Sequence, residues 1–218
     1  MWEDAPGDQA RRAAMLREQL GECRDPRVRA VMASVPRHWF VSAEQRETAY
    51  GDGARAIGCG QTISQPRVVA YMLTQLAPQP GERVLDFGAG SGYVSVLLAH
   101  LVGPGGWVRA LERQGGLVAA AEAVVAHCSS APETAPIELV WADGVELGSE
   151  QYDCIHVACA APEVPQVLID ALAPGGRMVV PVGVEQQQLR CYRRDRSGQI
   201  RIQHLWPVSF VPLLPGTD

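Results

Sequence analysis

Apolar residues recur at helical spacing in the first part of the chain. Ala13, Leu16 and Leu20 share one face of residues 8–20, and 27–35 repeats the pattern, which predicts two helices. The text then becomes glycine-rich. Residues 50–66, YGDGARAIGCGQTISQP, lack the periodicity of a regular element and are expected to form a functional loop. From Pro66 onward two periods alternate. Helices are predicted at 66–77, 93–102, 114–127 and 165–172, with strands at 83–87, 107–111, 137–141, 153–158 and 177–182 between or beside them. Beyond Gly183 the helical pattern stops, and 188–193, 200–205 and 208–213 read as strands.

Strands separated by amphipathic helices require right-handed crossovers. The expected fold is therefore α/β: a mainly parallel, doubly wound sheet with a helical N-terminal segment and a strand-rich C-terminus. A length of 218 residues suits a single domain, divided into 1–65 (helices and loop), 66–183 (α/β core) and 184–218 (C-terminal strands).

Composition narrows the function. With 47% hydrophobic and 20% charged residues, a core covered on both faces is affordable. The net charge of -5, with no Lys/Arg cluster interleaved with aromatics, argues against nucleic acid as a partner. MWEDAPGDQARR lacks the apolar run of a signal peptide, and no segment reaches the roughly 18 apolar residues of a span, so no membrane partner and a cytoplasmic location are expected. The six cysteines form no CxxC pair, which predicts free thiols and no metal site. Cys154, His156 and Cys159 lie close together, but CIHVACA reads as a buried strand in which Cys is a small hydrophobe.

The chemistry concentrates in VLDFGAGSGY (84–93), a buried strand running into a glycine turn and then a helix. Ligands of open α/β sheets bind at such strand ends. Gly88, Gly90 and Gly92 allow close approach of backbone, and the helix start offers N–H groups to an anion. The pattern is GxGxG, with Tyr93 where a dinucleotide fingerprint has its third glycine, so a pyrophosphate cradle is disfavoured. Asp86 either accepts loop N–H bonds or faces a cationic ligand such as an ammonium or sulfonium. Glu112, about twenty residues beyond Gly92, is placed to accept ribose hydroxyls, or is a solvated strand-end acid. Asp143 in WADG either accepts from an adenine amino group or serves the turn before Gly144.

Together VLDFGAGSGY, VRALER and WADG resemble the cofactor motifs of Rossmann-like S-adenosylmethionine-dependent methyltransferases. AIGCGQTISQP (56–66) is similar to the signature loop of the protein-L-isoaspartate (D-aspartate) O-methyltransferase family. VPRHWFV, YDCIHVACAAPEVP, APGGRMVVPVG and FVPLLPG continue the match in order, over roughly residues 16–216. The resemblance implies a monomeric enzyme using S-adenosyl-L-methionine to methylate the free carboxylate of L-isoaspartyl residues in peptides or proteins, with repair through a methyl ester and succinimide. It places Ser64, Thr62 and Gln61 in the catalytic pocket, and Ile57, Gly58, Cys59, Gly60 and Ala160 around the substrate. Cofactor contacts would come from Asp86, Gly88, Ala89, Gly90, Ser91, Gly92, Glu112, Arg113, Asp143 and Gly144. Ser64 has a second reading, as the N-cap of the helix opening at Pro66.

Departures from the family's usual text fall at Ala54, Arg55, Ala56 and Ile57, at Cys59, at Ala158 and Cys159, and at Arg67. Arg55 is expected to bring a cation beside the substrate loop. The competing readings are a carboxylate methyltransferase tailoring a biosynthetic peptide, a nicotinamide dehydrogenase, and a non-catalytic adenosine binder. An acceptor carboxyl with pKa about 3.9 is already ionised near neutrality, so methylating it needs no general base.

Overall fold

The computed structural model describes residues 4–144 and 147–218. Helices α1 (Pro6–Glu18) and α2 (Pro26–Ser34) lead into two 3-10 turns, Arg37–Phe40 and Ala43–Thr48. Then follow β1 (Arg55–Gly58), β2 (Gln61–Ile63), α3 (Pro66–Leu76), β3 (Arg83–Phe87), α4 (Tyr93–Val102), β4 (Trp107–Glu112), α5 (Gly115–Cys128) and β5 (Ile137–Trp141). The remainder is β6 (Tyr152–Val157), α6 (Gln166–Asp170), β7 (Leu172–Val182), β8 (Gln187–Arg194) and β9 (Ile200–Val208).

Seven strands form one sheet in the order β5-β4-β3-β6-β7-β8-β9. The first five run parallel, and β8 and β9 turn back antiparallel. The chain winds outward from β3 through β4 to β5, then returns to the other side of β3 as β6. That reversal opens a crevice beyond the carboxyl ends of β3 and β6, where ligands of doubly wound sheets bind. Both faces are covered. Leu73, Leu97 and Val124 belong to one core layer, and Leu85, Ile155 and Met178 to the other. α3 shows why its sequence is helical: Pro66 supplies the fixed φ of the first turn, and Val69, Leu73 and Leu76 make its buried stripe.

Three expectations are corrected. Residues 50–66 are not irregular throughout, because β1 and β2 pair as a small antiparallel hairpin. The glycines that argued against order make its turn: Gly58 and Gly60 take φ of 102° and 68°, with Cys59 at 49° between them. The strand expected at 177–182 begins earlier, at Leu172, with an irregular register against β6. The strand expected at 208–213 is not one. After β9 the chain runs across the strand ends and, among the described residues, forms one isolated β-bridge, Ala160 with Pro212, because Pro212 has no N–H to give a ladder.

Candidate functional site

A cleft of about 950 Å³, counting its open mouth, lies at the crevice. The β1–β2 hairpin, the glycine turn after β3, the ends of β4 and β6, and the C-terminal tail all line it. Of the residues expected to act, Ile57, Gln61, Thr62, Ser64, Asp86, Gly88, Ala89, Gly90, Ser91, Glu112, Arg113 and Asp143 meet there.

The glycine turn settles in an unexpected electrostatic sense. The N–H groups of Gly88 and Ala89 both donate to the Leu111 carbonyl at 2.9 Å, and that of Gly90 donates to Glu112 Oε2 at 2.8 Å. Gly92 N–H closes the turn on the Ala89 carbonyl at 2.9 Å. These four donors are spent on the protein itself and offer no nest to phosphate oxygens. Gly90 takes φ 56°, and a Cβ there would come within 3.0 Å of Ile57 Cδ1, which brings the hairpin directly onto the turn.

Glu112, 5% exposed, also accepts from Gln114 N–H at 2.9 Å through Oε1. Each carboxylate oxygen thus holds one backbone donor and keeps a lone pair for a ligand hydroxyl. Asp86 differs from expectation. It is fully buried, with Oδ2 accepting from Ser95 Oγ at 2.5 Å and Oδ1 accepting from His156 Nδ1–H at 2.7 Å. It accepts no loop N–H, and its charge reaches the cleft as part of that triad. Cys159 lies beside it in the cleft wall, its thiol pushed up to about 12 by burial and then by the Glu112 and Asp86 carboxylates, so it is held as a neutral thiol.

Other placements separate ligand contact from packing. Gly92 sits against α5, where a Cβ would lie 2.4 Å from Val125 Cγ2, and Gly144 sits on the Phe87 ring. Neither lines the cleft. Arg113 turns its guanidinium to the tail, donating to the Gly216 carbonyl at 2.7 Å and pairing with Asp218 Oδ2 at 2.8 Å. Asp143 Oδ2 accepts from Gly216 N–H at 3.2 Å. Ala160 holds the tail through bonds with the Val211 carbonyl and Leu213 N–H. Gly58, Cys59 and Gly60 form the hairpin tip, outside the cleft wall, with Cys59 Sγ over Gly116 at the start of α5.

Ser64 does not cap a helix. The N-cap of α3 is Gln65, which makes no side-chain cap bond, and Ser64 lines the cleft. Arg55 stands at the start of β1. Its guanidinium folds back on the Thr48 and Ala54 carbonyls, both at 2.9 Å, and braces the loop from outside. Arg67 and Gln65 instead converge on Asp52, whose carboxyl is held below its usual range, first by the Gln65 bond and further by Arg67.

Sequence reasoning missed Ser95, His156 and Cys159 as members of the site, and the tail residues 211–214 as part of its wall. The signal for His156 was present: it follows the same strand-end logic as Asp86, which it faces in register across β3 and β6.

Comparison with known proteins agrees with this geometry. The family model for protein-L-isoaspartate(D-aspartate) O-methyltransferase matches residues 11–218. A protein-L-isoaspartate O-methyltransferase of Aeropyrum pernix is 47% identical over 212 residues, covering 93% of this chain and 80% of its own. One from Methylorubrum populi is 43% identical, covering 95% of this chain and 96% of its own. A crystal structure of the Plasmodium falciparum protein-L-isoaspartate O-methyltransferase in complex with S-adenosyl-L-homocysteine superposes with a TM-score of 0.82 at 26% identity, over 95% of this chain and 98% of that one. A cleft built from a hairpin and strand-end acids, matched along nearly the whole sequence, places this chain in the protein-L-isoaspartate (D-aspartate) O-methyltransferase family.

Proposed function

We propose that this chain is a single-domain, monomeric enzyme that methylates the free α-carboxylate of L-isoaspartyl residues in peptides and proteins, with S-adenosyl-L-methionine as donor, in the cytoplasm. The observation that carries the reading is the pairing of two features in one cleft. The N–H groups of Gly88, Ala89, Gly90 and Gly92 in the glycine turn are taken by the protein itself, and Ser64 is not the N-cap of α3. A cationic adenosine cofactor suits the first, and a carboxylate acceptor suits the second.

The residues fit such a cofactor: Glu112 keeps a lone pair on each oxygen for the ribose, Asp143 stands at the next strand end for the adenine amino group, and the turn lets backbone approach the amino-acid portion. Bound there, the sulfonium supplies an activated methyl group. The chain's own part is positioning. Gln61, Thr62 and Ser64 seat the acceptor carboxylate, which is ionised near neutrality and needs no base. Ile57, Val211 and Leu213 give the cleft an apolar wall, and alignment of oxygen with methyl carbon supplies the rate. Attack of the following peptide nitrogen on the ester then expels methanol and gives the succinimide, whose hydrolysis restores part of the aspartate.

The test is transfer of labelled methyl to a matched pair of peptides containing isoaspartate or aspartate. The isoaspartyl peptide should be methylated at least about tenfold faster, as one added charge-assisted contact provides. Equal rates would reject the repair reading, and methylation of some other peptide carboxylate would favour the tailoring one.

A further inference from the structure

Among the described residues Arg37 is the largest fully buried side chain, at 0% exposure, and no carboxylate of theirs pairs with it. Its Nε donates to the Ala49 carbonyl and its Nη2 to the Ser64 carbonyl, each at 2.7 Å. Nη1 has no hydrogen-bond partner. The guanidinium carbon lies 5.2 Å from the centre of the Tyr93 ring, and Tyr93 opens α4 directly after the glycine turn. One planar fork therefore ties both ends of the loop carrying Gln61, Thr62 and Ser64, and rests on the element that follows the cofactor turn.

A brace alone does not require this chemistry. Burying a guanidinium with no carboxylate partner is costly, and apolar packing is often at least as stable as a buried charge. Burial pulls Arg37 down to about 10, which leaves it protonated at neutral pH. No carboxylate among the described residues pairs with its charge, and Ser64 and Tyr93, both of which it touches, line the cleft. In a medium of low dielectric such a charge acts over several ångströms.

We propose that Arg37 is a positioning residue for the acceptor: it clamps the ends of the Ser64 loop and supplies the positive potential behind the seat of the acceptor carboxylate. This rests on the carboxylate-methylating function above. That function is tested on the wild-type enzyme before any variant is made, so the two can fail separately.

The experiment compares wild type with Arg37→Gln and Arg37→Lys. It measures kcat and KM for an isoaspartyl peptide, affinity for S-adenosylmethionine, melting temperature, and inhibition by the same peptide with its α-carboxylate replaced by carboxamide. Arg37→Gln should raise KM roughly tenfold or more and reduce the preference for carboxylate over carboxamide by a similar factor, with cofactor affinity changed by less than about threefold. Arg37→Lys keeps the charge but not the planar fork, so it should retain the carboxylate preference while kcat falls roughly tenfold. A merely structural residue would weaken both peptides equally. Equal weakening, or a folded Arg37→Lys enzyme with wild-type kcat, overturns the proposal. If Arg37→Gln does not fold, the Arg37→Lys outcome alone decides.

Discussion

At the scale of single residues, Ser64 has the sharpest prediction. Cap loss would cost about 0.5–2 kcal/mol of stability, but Ser64 is not the cap of α3. Ser64→Ala should therefore leave the melting temperature nearly unchanged, leave cofactor affinity intact, and lower the rate about ten- to a hundredfold through loss of one charge-assisted bond. A normal rate with a lowered melting temperature would return Ser64 to a structural role. Much of the site was legible at this scale. Glu112 and Asp143 stand at strand ends, and strand–turn–helix text locates strand ends well. What the text hides is which partner each acid takes. Asp86 loses both oxygens to Ser95 and His156, and the second of these depends on a pairing across 70 residues that no local pattern encodes.

At the scale of elements, the ordering of the N-terminal edge of the core depends on Glu82 and Arg177. The guanidinium on β7 donates to both Glu82 oxygens, at 2.6 and 2.7 Å, and to the Leu76 and Ala77 carbonyls that end α3. Burial alone would raise the Glu82 carboxyl, but the Arg177 fork and the Gln79 N–H together hold it below its ordinary range. A depressed acid contributes stability that is fully present above its unfolded pKa, about 4.3, and is lost as pH falls through its folded value. Glu82→Gln should cost about 3 kcal/mol near pH 7, because it leaves a buried cation half-paired. Urea unfolding of both proteins should show that gap closing below about pH 4.3. A gap independent of pH would mean the pair adds no pH-linked stability. The same scale explains the hairpin. Three consecutive residues with positive φ, Gly58, Cys59 and Gly60, look like disorder in composition, yet they are what a tight connection between β1 and β2 needs.

At the scale of the whole molecule, the alternating periods were enough to give the parallel sheet, but not the path of the last ten residues. Their apolar alternation resembles a strand, whereas prolines at 212 and 215 remove the donors a strand requires. Freed from the sheet, residues 211–214 become a wall of the cleft. Gly216 then places its N–H on Asp143, and Asp218 accepts Gly115 N–H at the start of α5 at 2.8 Å. The tail thus lies across the strand ends at which the cofactor is expected, and the expected outcome is that loosening it speeds cofactor release. Gly216→Pro removes the N–H that meets Asp143 and cannot adopt the φ of 78° found there, so it should detach this segment. Because the tail beyond 213 is exposed, global stability should change by less than about 0.5 kcal/mol. Dissociation of S-adenosylhomocysteine, followed by stopped-flow fluorescence, should quicken by roughly three- to tenfold, the loss of one ordinary hydrogen bond and its neighbours. An unchanged dissociation rate in a folded Gly216→Pro protein would show that the tail only covers the cleft and does not retain what binds there.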